Sequence, residues 1–216
     1  MSAPIDPVLE DIPCPIVTPR LLIRPIGVGD GKHMNEAKQE SWNELTRWMP
    51  WAQGKRPTAK DISDDEVVCR KGAARFLLRE DLWMVAVERA TGKHVIWTGL
   101  HRMNWSTRSF EIGYWCRTKS VGNGYASEAA NALTRFALDA LRANRVEIKY
   151  DANNEKSAII PERLGFEIES CARNLDRDAS GKLTDVFTTT CFDKKVLPPL
   201  LVTWGDKAEE RCPLLP

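Results

Sequence analysis

No apolar run in this sequence approaches the ~18–20 residues that a membrane-spanning helix needs, so no such helix is expected. The stretch 1–19 has neither a basic start nor an apolar centre, and a secretory leader is not expected either. An excess of one charge is also missing: 31 Lys and Arg stand against 30 Asp and Glu. That balance gives no general attraction to nucleic acid or to an anionic membrane, and neither is expected as a partner. The cysteines Cys14, Cys69, Cys116, Cys171, Cys191 and Cys212 form no C-x-x-C pair. A zinc site is therefore not expected, and reduced thiols in a cytoplasmic protein are. Histidine is scarce. His33, His94 and His101 are too few and too scattered to suggest a metal centre, and each is expected to be structural or exposed.

What is present reads as one folded domain. Residues 1–17 carry Pro4, Pro7, Pro13 and Pro15, an extended lead-in rather than a helix. Arg20 to Pro25 reads as a first strand. Asp30 opens a helix to about Gln39, and Ser41 with Glu44 three residues later fits the capping box of a second short helix that Pro50 stops. Trp42, Trp48 and Trp51 crowd this segment, as a core edge or as the wall of a substrate groove. Lys55 to Leu78 is helical, with Asp61, Asp64, Asp65 and Glu66 in its first half and Arg70, Lys71 and Arg75 in its second, an order that suits the helix dipole.

Three short strands follow, 82–87, 95–100 and 110–115, joined by turns tight enough for an antiparallel meander. A helix over 126–141 carries Ala129, Ala130, Leu133, Phe136 and Ala137 on one stripe, and a strand over 146–150 succeeds it. A helical crossover makes the strands on either side parallel. A last helix, 157–164, ends at Gly165, and strands over 166–169 and 186–192 close the domain at residue 194. The tail 195–216 holds Pro198, Pro199 and Pro213 among Leu200, Leu201, Val202 and Trp204. It either folds back or packs on a partner, and an exposed apolar tail beside the Trp cluster would suit a homodimer.

The chain is organised around Lys119-Ser120-Val121-Gly122-Asn123-Gly124-Tyr125-Ala126, between the third meander strand and the long helix. Two glycines in a strand-to-helix turn let backbone N–H groups face inward with no Cβ in the way. The helix start adds unpaired N–H donors and roughly half a positive charge. The product is an anion seat suited to a pyrophosphate. A dinucleotide-binding domain fits less well, because Ser127 stands where the third glycine of G-x-G-x-x-G would be and a meander precedes the turn.

Meander, strand, K-x-x-G-x-G, helix, strand, N-x-x-S, helix, Gly-Phe: this order resembles the GNAT acyltransferases, and within them the RimJ/RimL group, which acetylates protein N-termini. The resemblance covers about Thr18 to Phe192. It rests on Phe110 to Trp115, on Gly122 to Ala129, and on Asn154 to Ser157 with Leu164-Gly165-Phe166. It implies an α/β (α+β) fold with a mixed, mostly antiparallel central sheet, a splayed strand pair and flanking helices. It also implies acetyl-CoA as co-substrate. Lys119 stands where the family has Gln or Arg, which keeps a cation but loses the bidentate fork. In the family pattern the pyrophosphate lies on backbone N–H groups, here Val121 to Ala126. The strand ending Tyr114-Trp115-Cys116 would pair with the pantetheine amides, and Asn154 matches the Asn that contacts the pantetheine arm.

Acyl transfer to an amine needs a proton acceptor, a stabilised oxyanion and an acid for the departing thiolate. Backbone N–H groups near Ile112 to Tyr114 could polarise the thioester. The resemblance places Ser157 as the acid. Its plainer role is a helix N-cap, and the two are compatible. Glu111 faces the cleft with Gly113 and Trp115 and is one candidate base; its plainer role is a cross-strand partner for Arg102 or Arg108. Asp176 lies where RimL-like members carry a proposed acidic base; its plainer role is an exposed turn carboxylate. An α-amine, with a pKa near ~7.8, is far easier to deprotonate than a Lys amine near ~10.4. The expected acceptor is thus a peptide or protein N-terminus. A small amine (antibiotic, amino acid or polyamine) is the alternative, with Asp61 to Glu66 as its acidic rim. A non-catalytic acyl-CoA sensor would keep the glycine seat without a base.

Overall fold

The protein is seen here as a computed structural model that describes residues 6–178 and 180–209; Pro4, Cys212 and Pro213 lie outside them. Nine strands form one sheet in the order β7-β8-β6-β5-β4-β3-β2-β1-β9. In sequence they are β1 (Ile16–Val17), β2 (Leu21–Pro25), β3 (Leu82–Glu88), β4 (His94–Asn104), β5 (Ser109–Cys116), β6 (Arg145–Asp151), β7 (Glu167–Arg177), β8 (Leu183–Cys191) and β9 (Thr203–Trp204). The helices are α1 (Asp30–Trp48), α2 (Ile62–Leu77), α3 (Tyr125–Asp139), α4 (Glu155–Arg163) and the short α5 (Asp206–Glu209). β3 to β5 form the expected antiparallel meander, β2 pairs antiparallel with β3 from beyond α1 and α2, and β5 pairs with β6 in parallel across the α3 crossover. None of the described helices is long and apolar enough to cross a membrane.

The sheet is covered on both faces. Ala129, Ala130, Leu133, Phe136 and Ala137 of α3 pack on Leu21, Ile23, Met84, Ile96, Phe110 and Ile112. The alanines let this helix lie close to the strands, so the larger residues of the sheet fill the layer. On the other face Met34 and Ala37 of α1 and Cys69 of α2 pack with Ile26, Val85 and Trp97.

The expected break between two helices at residues 39–41 is not there: α1 is continuous from Asp30 to Trp48. Its buried positions Met34, Ala37, Ser41 and Leu45 recur every three or four residues, one unbroken apolar stripe. Ser41 does not cap a helix; its hydroxyl accepts the Thr118 N–H at 2.9 Å. The local capping signal gives way to that tertiary bond. α1 does end before Pro50, with Met49 extended as a residue before proline must be.

The acidic run of α2 is not a free rim. Glu66 accepts from Gly29 N and Gly31 N at 3.1 Å and so caps α1, whose own N-cap is a glycine. Asp65 accepts from Asn35 Nδ2 at 2.9 Å and pairs with Lys38, while Asp61 closes a capping box with Thr58.

The segment after Lys194 folds back. Pro198 O accepts from Asn131 Nδ2 at 2.9 Å and Arg135 Nη2 at 3.0 Å. β9 then pairs with β1, and the Trp204 ring stands edge-on to Phe136 at 5.7 Å.

Candidate functional site

β5 and β6 stay paired only from Ser109↔Arg145 to Glu111↔Glu147. Beyond Glu111 the β6-facing edge of β5 has no strand partner, although β5 continues to Cys116 and β6 to Asp151. A cavity of about 1110 Å³ occupies this splay, with Ile112, Gly113, Tyr114 and Trp115 in its wall.

At the loop below, Gly122 and Gly124 take φ of 86° and 76°, and α3 starts from Gly124 with no side-chain cap. The first-turn N–H groups of α3 are therefore not used by a capping side chain. The loop is held from behind. Glu128 accepts from Thr18 Oγ1 at 2.6 Å, Arg20 N at 3.1 Å and Arg20 Nε at 2.5 Å, fixing α3 to the turn between β1 and β2. Arg20 Nη1 also donates to Asn123 O at 2.8 Å. Glu40 of α1 accepts from Lys119 N and Arg117 Nε, both at 2.9 Å. Burial works against its ionisation, but these donors hold its carboxyl below the usual range.

Lys119, Val121, Gly122, Asn123 and Gly124 are exposed around the α3 start, with Ala126 in its first turn. Ser120 is buried, and the Tyr125 hydroxyl donates to Glu88 beneath the Arg20 guanidinium. The side chains of these two serve the loop's framework. Arg20 is a cation at the loop that sequence reading missed, because its tie to Glu128 spans 108 residues.

On the far wall, Asn154 is the N-cap of α4 and accepts the Ser157 N–H at 3.2 Å. Ser157 is thus not the cap, and its hydroxyl is free of that duty. It lies 3.4 Å from the Tyr114 hydroxyl, which also reaches Ser157 O at 3.3 Å. Burial pushes the Tyr114 phenol up to about 12, against the pull of the Ser157 contact. Burial does the same to the Cys116 thiol, also to about 12.

Glu111 faces the cavity as a buried carboxylate between two cations. Oε1 is bound by Arg102, and Oε2 is 3.0 Å from Lys149 Nζ as an ion pair rather than an aligned hydrogen bond. Strict alternation would turn Arg102 away from this face. A register shift after His101 and a left-handed Arg102, φ 44°, bring it back. Asp176 lines the rim from β7, exposed as expected, but it is paired with Thr184 in a strand and not in a turn. Trp48 and Trp51 line the cavity, while Trp42 does not. Trp115 stacks on Trp97 at 4.4 Å, and Trp51 meets Trp115 at 6.1 Å.

His101, expected to be structural or exposed, lines the cavity and is the cross-strand partner of Glu111. Its Nδ1 is 2.7 Å from Asp81 Oδ1. Its ring covers Gly99 and Gly113, themselves a cross-strand pair: a Cβ on Gly113 would stand 2.8 Å from Cδ2, and one on Gly99 3.0 Å from Cε1. The signal in the sequence was slight, a histidine between glycine-bearing meander strands.

The model of the family described as "Acetyltransferase (GNAT) domain" matches residues 20–167. YdaF of Bacillus subtilis (strain 168), provisionally named a ribosomal N-acetyltransferase, is 40% identical over 75 residues, 35% of this chain and 41% of that protein. The match thus spans less than half of that relative. The ribosomal-protein-serine acetyltransferase of Escherichia coli (strain K12) is 23% identical over 141 residues, 64% of this chain and 73% of its own. Among solved structures, RimL, a ribosomal L7/L12 alpha-N-protein acetyltransferase in complex with coenzyme A, superposes with a TM-score of 0.74 at 17% identity, over 86% of this chain and 99% of that one. At that identity the likeness is one of fold.

Proposed function

On the premise that this chain belongs to the GNAT acetyltransferase family, we propose that it moves an acetyl group from acetyl-CoA to a primary amine, the α-amine of a peptide or protein N-terminus. The observation that carries this reading is the splay of β5 from β6, which opens beside the uncapped start of α3. A free strand edge suits the two amides of a pantetheine arm. N–H groups at a glycine turn and helix start suit a pyrophosphate. These features fit a CoA thioester laid along β5. Lys119 and Arg20 would add positive charge at its phosphate end, and Asn154 would meet the arm from α4.

The thioester carbon would then lie in the splay. Backbone N–H groups between Ile112 and Tyr114 would receive charge developing on its oxygen. Ser157 supplies a proton to the departing sulfur. The Tyr114 phenol, kept protonated by its burial, can turn its one proton from Ser157 O to the Ser157 hydroxyl and make it a better acid. Of the carboxylates expected as base, Glu111 is in place but both of its oxygens already face cations. Asp176, at the rim, suits the incoming ammonium.

An α-amine is the acceptor this site suits. The neutral form of a Lys amine costs roughly 4 kcal/mol to reach at neutral pH, whereas an α-amine is already part neutral. The acidic run expected as a polyamine rim does not line the cavity, and two of its members, Asp65 and Glu66, hold α1. The names of the relatives make ribosomal-protein N-termini the first acceptors to try. The test is release of CoA thiol from acetyl-CoA with three pools: peptides with free Ser or Ala N-termini, N-blocked peptides with internal Lys, and small amines. Turnover with the first pool alone is expected. Turnover with the third alone would make this a small-molecule enzyme.

A further inference from the structure

We propose that His101 is the proton acceptor of the transfer and that Asp81 is its positioning residue; this rests on the acetyl-transfer reading above. An ionised carboxylate only accepts hydrogen bonds. Asp81 therefore places the ring proton on Nδ1, 2.7 Å away, and leaves the lone pair on Nε2. Arg75 of α2, with Nη1 3.4 Å from Asp81 Oδ2, holds that carboxylate in turn. Among the described residues Nε2 has no hydrogen-bond partner.

The ring's position is built by glycine. Gly99 and Gly113 face each other across β4 and β5 and leave a bare patch on the sheet, where the imidazole lies. Nε2 is 3.2 Å from the point a Gly113 Cβ would occupy. Gly113 is two residues past Glu111, the last residue of β5 paired with β6, so the lone pair sits over the mouth of the splay. A neutral imidazole with a free lone pair is a general base that can take a proton from the ammonium of an incoming amine. Glu111, beside it, would have to leave Arg102 and Lys149 to do the same. Asp176 is exposed, and its Oδ1 accepts the Arg177 N–H at 2.7 Å.

The step balances. Nε2 takes one proton from the ammonium, and the freed nitrogen lone pair forms the C–N bond to the thioester carbon while the carbonyl pair moves to oxygen. The oxygen pair returns, the C–S bond breaks, and its electron pair leaves on sulfur. The second N–H proton is lost to solvent, and sulfur gains one through Ser157. The products are the N-acetyl amide and CoA thiol. The His101 imidazolium then releases its proton to water.

The test uses the full-length protein with whichever acceptor pool gives turnover. The wild type, His101→Gln, His101→Ala, Asp81→Asn and Glu111→Gln are compared in kcat, KM and pH profile. The groups around the ring are Asp81, Arg75, Glu111, Arg102 and Lys149, so a shift of the acid limb is read against Asp81→Asn and Glu111→Gln. His101→Gln is expected to lower kcat about 10²–10⁴-fold and to abolish the acid limb. Acetyl-CoA affinity by calorimetry should stay within about twofold. Free imidazole should restore part of the His101→Ala rate, which a structural role would not allow. Asp81→Asn should move the acid limb. Rates of His101→Gln within about threefold of wild type at every pH would overturn the assignment, and so would loss of the acid limb in Glu111→Gln alone. A ¹⁵N spectrum showing the neutral His101 ring protonated on Nε2 would also overturn it, with no acceptor needed. Silence of the wild type in every pool would instead overturn the acetyl-transfer reading, and this proposal with it.

Discussion

A hydroxyl beside a buried phenol is a different acid from one in water. Ser157 Oγ has the Tyr114 hydroxyl at 3.4 Å and no capping bond to make, since Asn154 caps α4. Ser157→Ala is therefore expected to slow turnover by roughly 10–100-fold and to leave the melting temperature within a degree or two. Steady-state rates set beside a thermal melt check this; a lower melting temperature at an unchanged rate would remove the acid role. Gly113→Ala is a second test at this scale. Its methyl would stand 2.8 Å from the His101 ring, which Asp81 holds in place. The ring must shift, so the rate should fall about tenfold or more in a protein that still folds. Binding of acetyl-CoA to this variant, measured by calorimetry, is the control.

At the scale of elements, the α3 start decides cofactor binding and α4 decides where the far wall stands. Gly122 and Gly124 both lie in the left-handed region. A β-branched residue there costs roughly 1–3 kcal/mol of backbone strain or forces a new loop path. Gly122→Val and Gly124→Val are expected to abolish acetyl-CoA binding while α3 stays fixed to the β1–β2 turn through Glu128 and Thr18. Unchanged affinity in a folded variant would remove the pyrophosphate assignment. Asn154→Ala removes the cap of α4 and should cost about 1 kcal/mol, read as a lower denaturation midpoint.

At the scale of the whole molecule, two contacts tie other segments to the sheet. Asp30, at the start of α1, is buried and bound by Arg24 of β2 through both oxygens at 2.8 Å, by Gly27 N at 2.8 Å and by His94 Nε2 at 3.0 Å. Burial alone would raise its pKa, but Arg24 and His94 hold it well below the usual carboxylate range. A depressed folded pKa means the unfolded chain binds the proton first. The stabilisation is whole above the unfolded value of ~3.9 and is lost as pH falls through the folded one. The melting temperature should therefore fall steeply below about pH 4, and Asp30→Asn should flatten that slope while lowering stability at pH 7. A parallel acid limb in both proteins would mean other carboxylates carry it. At the β9 edge, Trp204→Ala removes the ring from Phe136 and is expected to cost about 2–3 kcal/mol, measured by denaturant titration.

The order of elements could be read from the chain because local chemistry sets it. Alternating apolar residues, turn glycines and prolines, and the alanine stripe of α3 mark strands and helices from within a few residues. The glycine turn before α3 was legible for the same reason, as was the parallel step from β5 to β6, which a helical crossover requires. Contacts between distant residues were not. Ser41 looks like a cap until Thr118 claims its hydroxyl, and Glu66 looks like a solvated charge until it caps α1. Period-2 alternation puts Glu111 on one face with Gly113 and Trp115, but it does not tell that His101 lies opposite, or which cation or carboxylate arrives there. That depends on the register of β4 and β5, on the left-handed Arg102, and on where α2 delivers Asp81. Pattern along a chain fixes direction within an element, whereas partners are chosen by packing many residues away, and only the folded molecule does that.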